Sequence, residues 1–433
     1  MSYINGLKSF LDKSHSQFQS VENIKSILVE NGFNELKEDE EFVLEQGKSY
    51  FVLRNLTSIL AFKVPSYIKD LRFQVVAVHS DSPAFQIKEN PCVFDNGYVK
   101  LKVEGYGGMI RSVWLDKPLS IAGRIVVDDG EKLVSRLIDI DKDLAIIPNV
   151  AIHFNREINK GYEYNPQVDL CPIIGQSETD EDLLLKELNK FVNKNEKILS
   201  YDLYLYNREK ATLLGANEEF FVAPKLDDLA CDYTALEGFI AAKPQDFVQV
   251  FVSFDNEEVG SESINGADST FLESILKRIT FALGKEKEDY FRAVASSFLI
   301  SADNGHAVHP NHPELSDNKN LVKLNEGIVL KYNANMKYTS DALSSGVIKK
   351  LCKKENIKYQ EFFNRSDMVG GSTLGNISIS HVSMLSVDIG LAQLAMHSNY
   401  EVCGSKDIDD MIKLIKTFYE TSIIVKESNV LFK

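Results

Sequence analysis

An uninterrupted apolar run, Val248-Gln249-Val250-Phe251-Val252-Ser253-Phe254, passes without a spacer into Asp255-Asn256-Glu257-Glu258-Val259-Gly260-Ser261. A run so rich in β-branched and aromatic residues, and too short for a helix of ordinary length, predicts a strand covered on both faces, as in a parallel sheet. In open α/β sheets ligands bind beyond the C-terminal ends of such strands. Two adjacent glutamates delivered to that position repel each other, so they call for a cation or for a raised pKa.

The same pattern recurs. Phe73-Gln74-Val75-Val76-Ala77-Val78 ends in His79-Ser80-Asp81, and the stretch 295–300 ends in Ser301-Ala302-Asp303. Strand 221–224 leads into Lys225-Leu226-Asp227-Asp228 and an amphipathic helix over 229–242; strand 384–389 leads towards His397. A helix is expected over 16–31, two turn-linked strands over 48–64, a helix around 272–279 and a closing helix over 407–425. Between 85 and 222 the texture changes to short alternating strands with Asp-Asn-Gly and Gly-rich turns and one acidic helix near 178–194. The expected architecture is therefore α/β: a central mixed, largely parallel sheet flanked by helices (1–84 and 223–433), interrupted by an inserted, mostly β domain (85–222). Gly105-Tyr106-Gly107-Gly108 reads as a structural hairpin turn. No Lys-Ser/Thr follows it, as a phosphate loop would require.

Composition narrows the function. A chain of 433 residues with 44% hydrophobic content can bury a large core, and a net charge of −15 disfavours nucleic acid and anionic membranes as partners. The five cysteines, Cys92, Cys171, Cys231, Cys352 and Cys403, are scattered and never form Cys-x-x-Cys. Neither a disulfide framework nor a thiolate zinc site is expected, and a cytoplasmic setting is. Residues 1–20 lack the apolar core of an export signal, and no apolar run reaches the length of a membrane span.

His79, Asp227, Glu258, Asp303 and His397 are thus five ligands at or after strand ends of one sheet. Imidazole and carboxylate without thiolate suit Zn²⁺, Co²⁺ or Mn²⁺, and five ligands exceed what one zinc needs, so two cations are expected with Asp227 between them. Asp81, two residues beyond His79, is placed to accept the second imidazole N–H and fix its tautomer. Glu257 is left for general-base duty. Asp227-Asp228 alone also reads as a helix N-cap pair, and His306, His309 and His312 read equally as support for the site or as members of a Pro-containing loop.

In six segments the chain resembles the M18 metallopeptidases, the aspartyl aminopeptidase and aminopeptidase I family: Val78-His79-Ser80-Asp81-Ser82-Pro83, Ile152-His153-Phe154-Asn155-Arg156-Glu157, the stretch 255–261, Ser301-Ala302-Asp303, His309-Pro310-Asn311 and Gln393-Leu394-Ala395-Met396-His397-Ser398. The resemblance implies a dinuclear metal-dependent aminopeptidase, zinc first with manganese or cobalt as alternatives. His79 and Asp303 would hold one ion, Glu258 and His397 the other, Asp227 would bridge and Glu257 would be the base. It also implies that the insertion is a dimerisation domain, that His153 reaches a neighbouring subunit's site, that Lys331 and Tyr338 lie near substrate, where a lysine suits an acidic side chain, and that a homo-oligomer, a dodecamer built from dimers, assembles. The chain departs from the family pattern at Lys225, Asn376, Asn399-Tyr400 and Met109, none of them a ligand. The partners expected are peptides with a free N-terminus. A dinuclear deacylase acting on N-blocked substrates and a catalytically silent binding protein are the alternatives.

Overall fold

A computed structural model describes residues 2–179 and 181–433. Met1, at the start of the stretch read for an export signal, and Asp180, inside the expected acidic helix, lie outside the described residues. The central sheet has nine strands. In spatial order they are Asn34–Leu36, Ser49–Arg54, Ser58–Lys63, Val248–Phe254, Phe73–His79, Phe298–Ala302, Leu385–Gly390, Ile328–Tyr332 and Tyr359–Phe363. Its middle is parallel: Val248–Phe254 pairs with Phe73–His79, which pairs with Phe298–Ala302, which pairs with Leu385–Gly390. The register sets Phe254 beside His79 and Ser301 beside Ala77, so these strands release their loops at nearly one level.

The apolar run is unbroken because both faces of the strand are covered. Phe251, Val76, Val78 and Ile300 join one buried cluster with the helices Leu226–Ala241 and Asp407–Glu420; Val250, Val252, Val75 and Ala77 join another with Phe271–Ala282. Two buried glutamines stitch strand to helix, with Gln74 and Gln249 side chains donating to the Phe418 and Tyr419 carbonyls, each at 2.7 Å. These carbonyls lie in the last turn of the helix Asp407–Glu420, where carbonyls lack the i+4 donor of the helix interior; the Phe418 carbonyl also accepts the Thr421 N–H at 3.2 Å.

A second sheet of six strands is antiparallel throughout and runs, in spatial order, Leu133–Asp139, Leu119–Asp128, Lys197–Asn207, Ala84–Asp95, Tyr98–Tyr106 and Ile173–Gln176. It closes over its own apolar cluster around Trp114, Ile121 and Leu203. A third sheet, Thr212–Leu214, Phe220–Ala223, Glu401–Gly404, Ala392–Leu394 and Gly305–His306, ties together the segments that flank Asp227, His397 and Asp303.

Several local expectations differ from the structure. Gly105–Gly108 is not a hairpin turn: the strand Tyr98–Tyr106 pairs with Ala84–Asp95 and Ile173–Gln176, and the chain then leaves its sheet for a 3-10 turn at Arg111–Trp114. The acidic helix shrinks to Leu183–Leu188, capped by Asp182, whose carboxylate accepts from the Leu185 N–H. The closing helix stops at Glu420, because the β-branched run that follows forms a hairpin, Ile423–Lys426 with Asn429–Phe432. The strand expected at 295–300 runs over Phe298–Ala302, and its first residues belong to a helix, Lys287–Ala295. Among the described residues no helix is long and apolar enough to cross a membrane.

Candidate metal centre

His79 ends its strand fully buried. Its Nδ1–H donates to the Asp81 carbonyl at 3.1 Å, which leaves Nε2 facing Asp227 Oδ1 at 3.7 Å. The expected partner was the Asp81 carboxylate; that group is slightly farther, at 3.4 Å, and serves another purpose. It accepts the Tyr106 hydroxyl at 2.6 Å and the backbone N–H groups of Glu257 and Glu258 at 3.1 and 3.2 Å.

Asp227 sits where the chain turns from strand into helix, after Lys225 at φ 59° and with non-helical dihedrals of its own. Its second oxygen, Oδ2, faces His397 Nε2 at 3.4 Å, and Glu258 Oε2 lies 3.3 Å from that same nitrogen. His397 is itself left-handed, at φ 64°, as is Asn256 beside the glutamates, at φ 62°. Three non-glycine residues in this sparsely populated region, one in each of three ligand loops, mark backbone held by its surroundings for function. Glu401 does part of the holding: its carboxylate accepts the N–H of Asp227 at 3.0 Å and that of His397 at 2.7 Å. Reading the sequence did not single out Glu401. Its only signal was an acidic residue shortly after His397.

Asp228 was missed for a different reason, having been weighed only as half of an N-cap pair. It is fully buried and groups with His79, Asp227 and Asp303. Asp303 lies 3.5 Å from the Lys331 ammonium, which also donates to the Asn304 carbonyl at 3.0 Å.

So many buried acids cannot all stay ionised without a counter-charge. Burial pushes Glu257 up to about 8 and Asp303 to about 6, and it carries Glu258 and Asp228 well above the carboxylate range. Burial opposes the charge of Asp227 too, but His397 and His79 hold it below its ordinary value. For His397 burial again works against the charge, yet Asp227 raises it to about 9.

The donor set fits divalent cations. Ligand atoms lie within 4.8 Å of one another in three groups: His79 with Asp227, Asp228 and Asp303; His79 with Glu257 and Glu258; and Asp227 with Glu258 and His397. Donors bound at about 2.0–2.2 Å around one tetrahedral cation stand about 3.3–3.6 Å apart, the spacing seen from His397 to Asp227 and from His397 to Glu258. Asp227 Oδ1, Asp228 Oδ1 and Glu258 Oε1 are buried with no hydrogen-bond donor, an arrangement that bare carboxylates avoid and metal ligands require.

These groups open on a cleft of about 310 Å³ lined also by His306, Lys331, Tyr338, Phe362 and Met396. Lys331 and Tyr338 line this cleft together, with the ammonium 5.3 Å from the Tyr338 ring centre. His153, expected at a neighbouring subunit's site, lies outside this chain's cleft lining, exposed on a loop of the insertion next to Phe154, which is 87% exposed. His309 and His312 stack loosely on each other outside the cleft lining, while His15 pairs with Asp139 and His381 with Asp268.

Comparison with known proteins gives one consistent picture. The family described as "Aminopeptidase I zinc metalloprotease (M18)" matches residues 10–419. The chain is 44% identical over 428 residues to "Probable M18 family aminopeptidase 2" of Clostridium novyi, covering 97% of this chain and 99% of that protein. It is 43% identical to the protein of the same name in Clostridium acetobutylicum, over 97% of this chain and 99% of that one. Among solved structures, "Cryo-EM structure of the Ape4 and Nbr1 complex" superposes with a TM-score of 0.92 at 34% identity, over 97% of this chain and 85% of that one. An M18 family aminopeptidase from Thermotoga maritima superposes at 0.85 with 25% identity, over 96% and 95%.

Proposed function

This chain belongs to the M18 family of zinc metalloproteases and is a metalloaminopeptidase, and from that premise we propose that it removes the N-terminal residue of peptides with a pair of divalent cations, zinc first and manganese or cobalt as alternatives. One observation carries the dinuclear reading: the two oxygens of a single buried carboxylate, Asp227, face two different imidazoles, His79 and His397. In this reading His79 and Asp303 would hold one cation and Glu258 and His397 the other, with Asp227 available to both. Bound cations supply Lewis-acid polarisation of the scissile carbonyl and a lowered pKa for an attacking water. Glu257, half-buried beside the cluster and in none of these ligand roles, takes the proton of that water and returns it to the leaving amine. The carboxylate-rich end of the cleft favours an ammonium over a carboxylate, which supports cutting at the amino end.

The test is release of chromophore from unblocked Asp, Glu, Leu and Ala amides with N-acetylated controls, before and after chelation and re-metallation. Cleavage confined to the unblocked amides and restored by metal is the expected result. Cleavage of the acetylated controls would replace this reading with a deacylase, and silence throughout would favour a binding protein.

A preference for acidic N-terminal residues is the finer part of the proposal and rests on Lys331. Its ammonium is engaged by Asn304 and Asp303, which leaves one donor for a substrate carboxylate. Lys331→Met is expected to raise KM for the Asp and Glu amides about tenfold relative to Leu and Ala, the worth of roughly 1.4 kcal/mol. A uniform loss across the panel would assign Lys331 to Asp303 alone.

The division into 1–84, 85–222 and 223–433 belongs to this reading, with the inserted part as the assembly domain. An exposed apolar stretch around His153, including Val150, Ile152, Phe154 and Val168, supports assembly there. The solved relative "Structure of S. cerevesiae mApe1 dodecamer" is, in those words, a twelve-subunit assembly. A dodecamer of dimers in which His153 enters a neighbour's cleft is accordingly proposed, and light scattering checks its mass. The cytoplasmic setting is supported by five cysteines that form no disulfide.

A further inference from the structure

The strand Tyr98–Tyr106 of the six-stranded sheet and the two glycines after it reach the cluster at two places. First, the buried Tyr106 hydroxyl donates to Asp81 Oδ2 at 2.6 Å and accepts from Asn256 Nδ2 at 2.9 Å. Asp81, fully buried, uses the same carboxylate to hold the N–H groups of Glu257 and Glu258. Of these donors, Tyr106 alone comes from the inserted sheet. Second, Gly108 accepts the His397 Nδ1–H at 2.6 Å, and the Ile110 N–H donates to the His397 carbonyl at 3.0 Å. Between the two, Gly107 lies at φ +73°, so close to the glutamates that an added Cβ would stand 3.2 Å from the Glu258 Cβ. The stretch therefore grips Glu258 from one side and His397 from the other.

We propose that Tyr106 is a positioning residue of the hydrolysis: through Asp81 its hydroxyl sets Glu257 for proton transfer and Glu258 for the second cation, so that the inserted sheet is part of the catalytic apparatus as well as an assembly surface. This rests on the two-cation reading above. The hydroxyl–carboxylate bond is charge-assisted and buried, hence strong and directional. Removing it leaves Asp81 short of a donor and the glutamate loop free to shift, and misplacement of a reacting group by about 1 Å can cost on the order of 10²-fold in rate. A packing role is separable. The Tyr106 ring meets Tyr204 edge-on at 5.6 Å, and phenylalanine keeps that contact.

The test compares wild type and Tyr106→Phe in amide hydrolysis and in cobalt titration followed by the d–d spectrum. Expected in the variant are a fall in kcat of about 10- to 100-fold with KM within about twofold, a second cobalt equivalent bound about tenfold more weakly, and an altered spectrum for that equivalent. Gly107→Ala is the second variant, should loss of the hydroxyl impair folding. It leaves the Tyr106–Asp81 bond in place, crowds Glu258, and is expected to weaken the same cobalt equivalent. A wild type that binds two cobalt ions, with Tyr106→Phe unchanged in turnover and in cobalt affinity, would overturn this inference alone, whatever Gly107→Ala does. A wild type that binds one cobalt would overturn the two-cation reading, and this inference with it.

Discussion

Glu257→Gln is expected to leave metal content unchanged and to lower kcat by about 10³-fold, within the range that positioned acid–base groups contribute. The side chain is half-buried beside the cluster, and desolvation there holds its carboxyl up at about 8. A group with that affinity for a proton is suited to take one from water and release it to an amine at neutral pH. Glutamine keeps the shape and the backbone N–H that Asp81 holds, but it cannot accept and return the proton. The check is kcat alongside metal content from elemental analysis. Wild-type turnover in a fully loaded Glu257→Gln protein would remove Glu257 from the mechanism, whereas loss of metal would make it a ligand.

Chelated protein is expected to lose thermal stability as pH rises from about 5.5 to 8.5, and metal-loaded protein to lose much less. Carboxyls raised by burial, Glu257 and Glu401 to about 8 and Asp303 to about 6, keep protons that the unfolded chain has released above about pH 4–5. The folded state thus binds more protons across this window, and stability falls with pH. His397 acts in the same direction. Although burial works against its charge, Asp227 raises it to about 9, so its contribution is full below about 6.5 and is lost as pH passes about 9. Cations replace those protons as the counter-charge, so binding releases protons and flattens the profile. Asp232, pushed up to about 8 by burial within its helix, adds a similar slope to both forms, so the difference between them reads the centre. Scanning fluorimetry with chelator and with zinc should show a gap of about 5 °C or more opening towards alkaline pH. A chelated protein whose midpoint is flat or rises over that window would contradict the assignment.

Much of the centre was legible because its ligands share one structural address. A buried strand announces itself by an unbroken β-branched and aromatic run, and a polar group immediately after such a run stands at the C-terminal edge of the sheet. That logic reached His79, Glu257, Glu258 and Asp303. It reached Asp227 and His397 less directly, because they lie beyond shorter strands that belong to the third sheet. Asp228 escaped because an acidic pair at a helix start has an ordinary capping explanation, and only burial against His79 and Asp303 removes it. Glu401 escaped because its carboxylate joins the nearby His397 N–H to the N–H of Asp227, 174 residues away, and the second of these leaves no local pattern.

The insertion shows the limit most clearly. Gly105-Tyr106-Gly107-Gly108 has the composition of a turn, and no periodicity around it indicates that its tyrosine meets Asp81 or that its last carbonyl meets His397. By itself the sequence determined the fold class, the parallel centre of the sheet and the chemical types of the side chains gathered at the candidate site. These follow from local alternation, run length and the type of residue placed at strand ends. Tertiary structure alone decided which oxygen of Asp227 faces which histidine, which acids crowd enough to hold protons, and how the six-stranded sheet comes to meet Asp81 and His397. Such facts depend on atoms brought within hydrogen-bond reach across more than a hundred residues of chain, and short-range residue patterns do not encode those approaches.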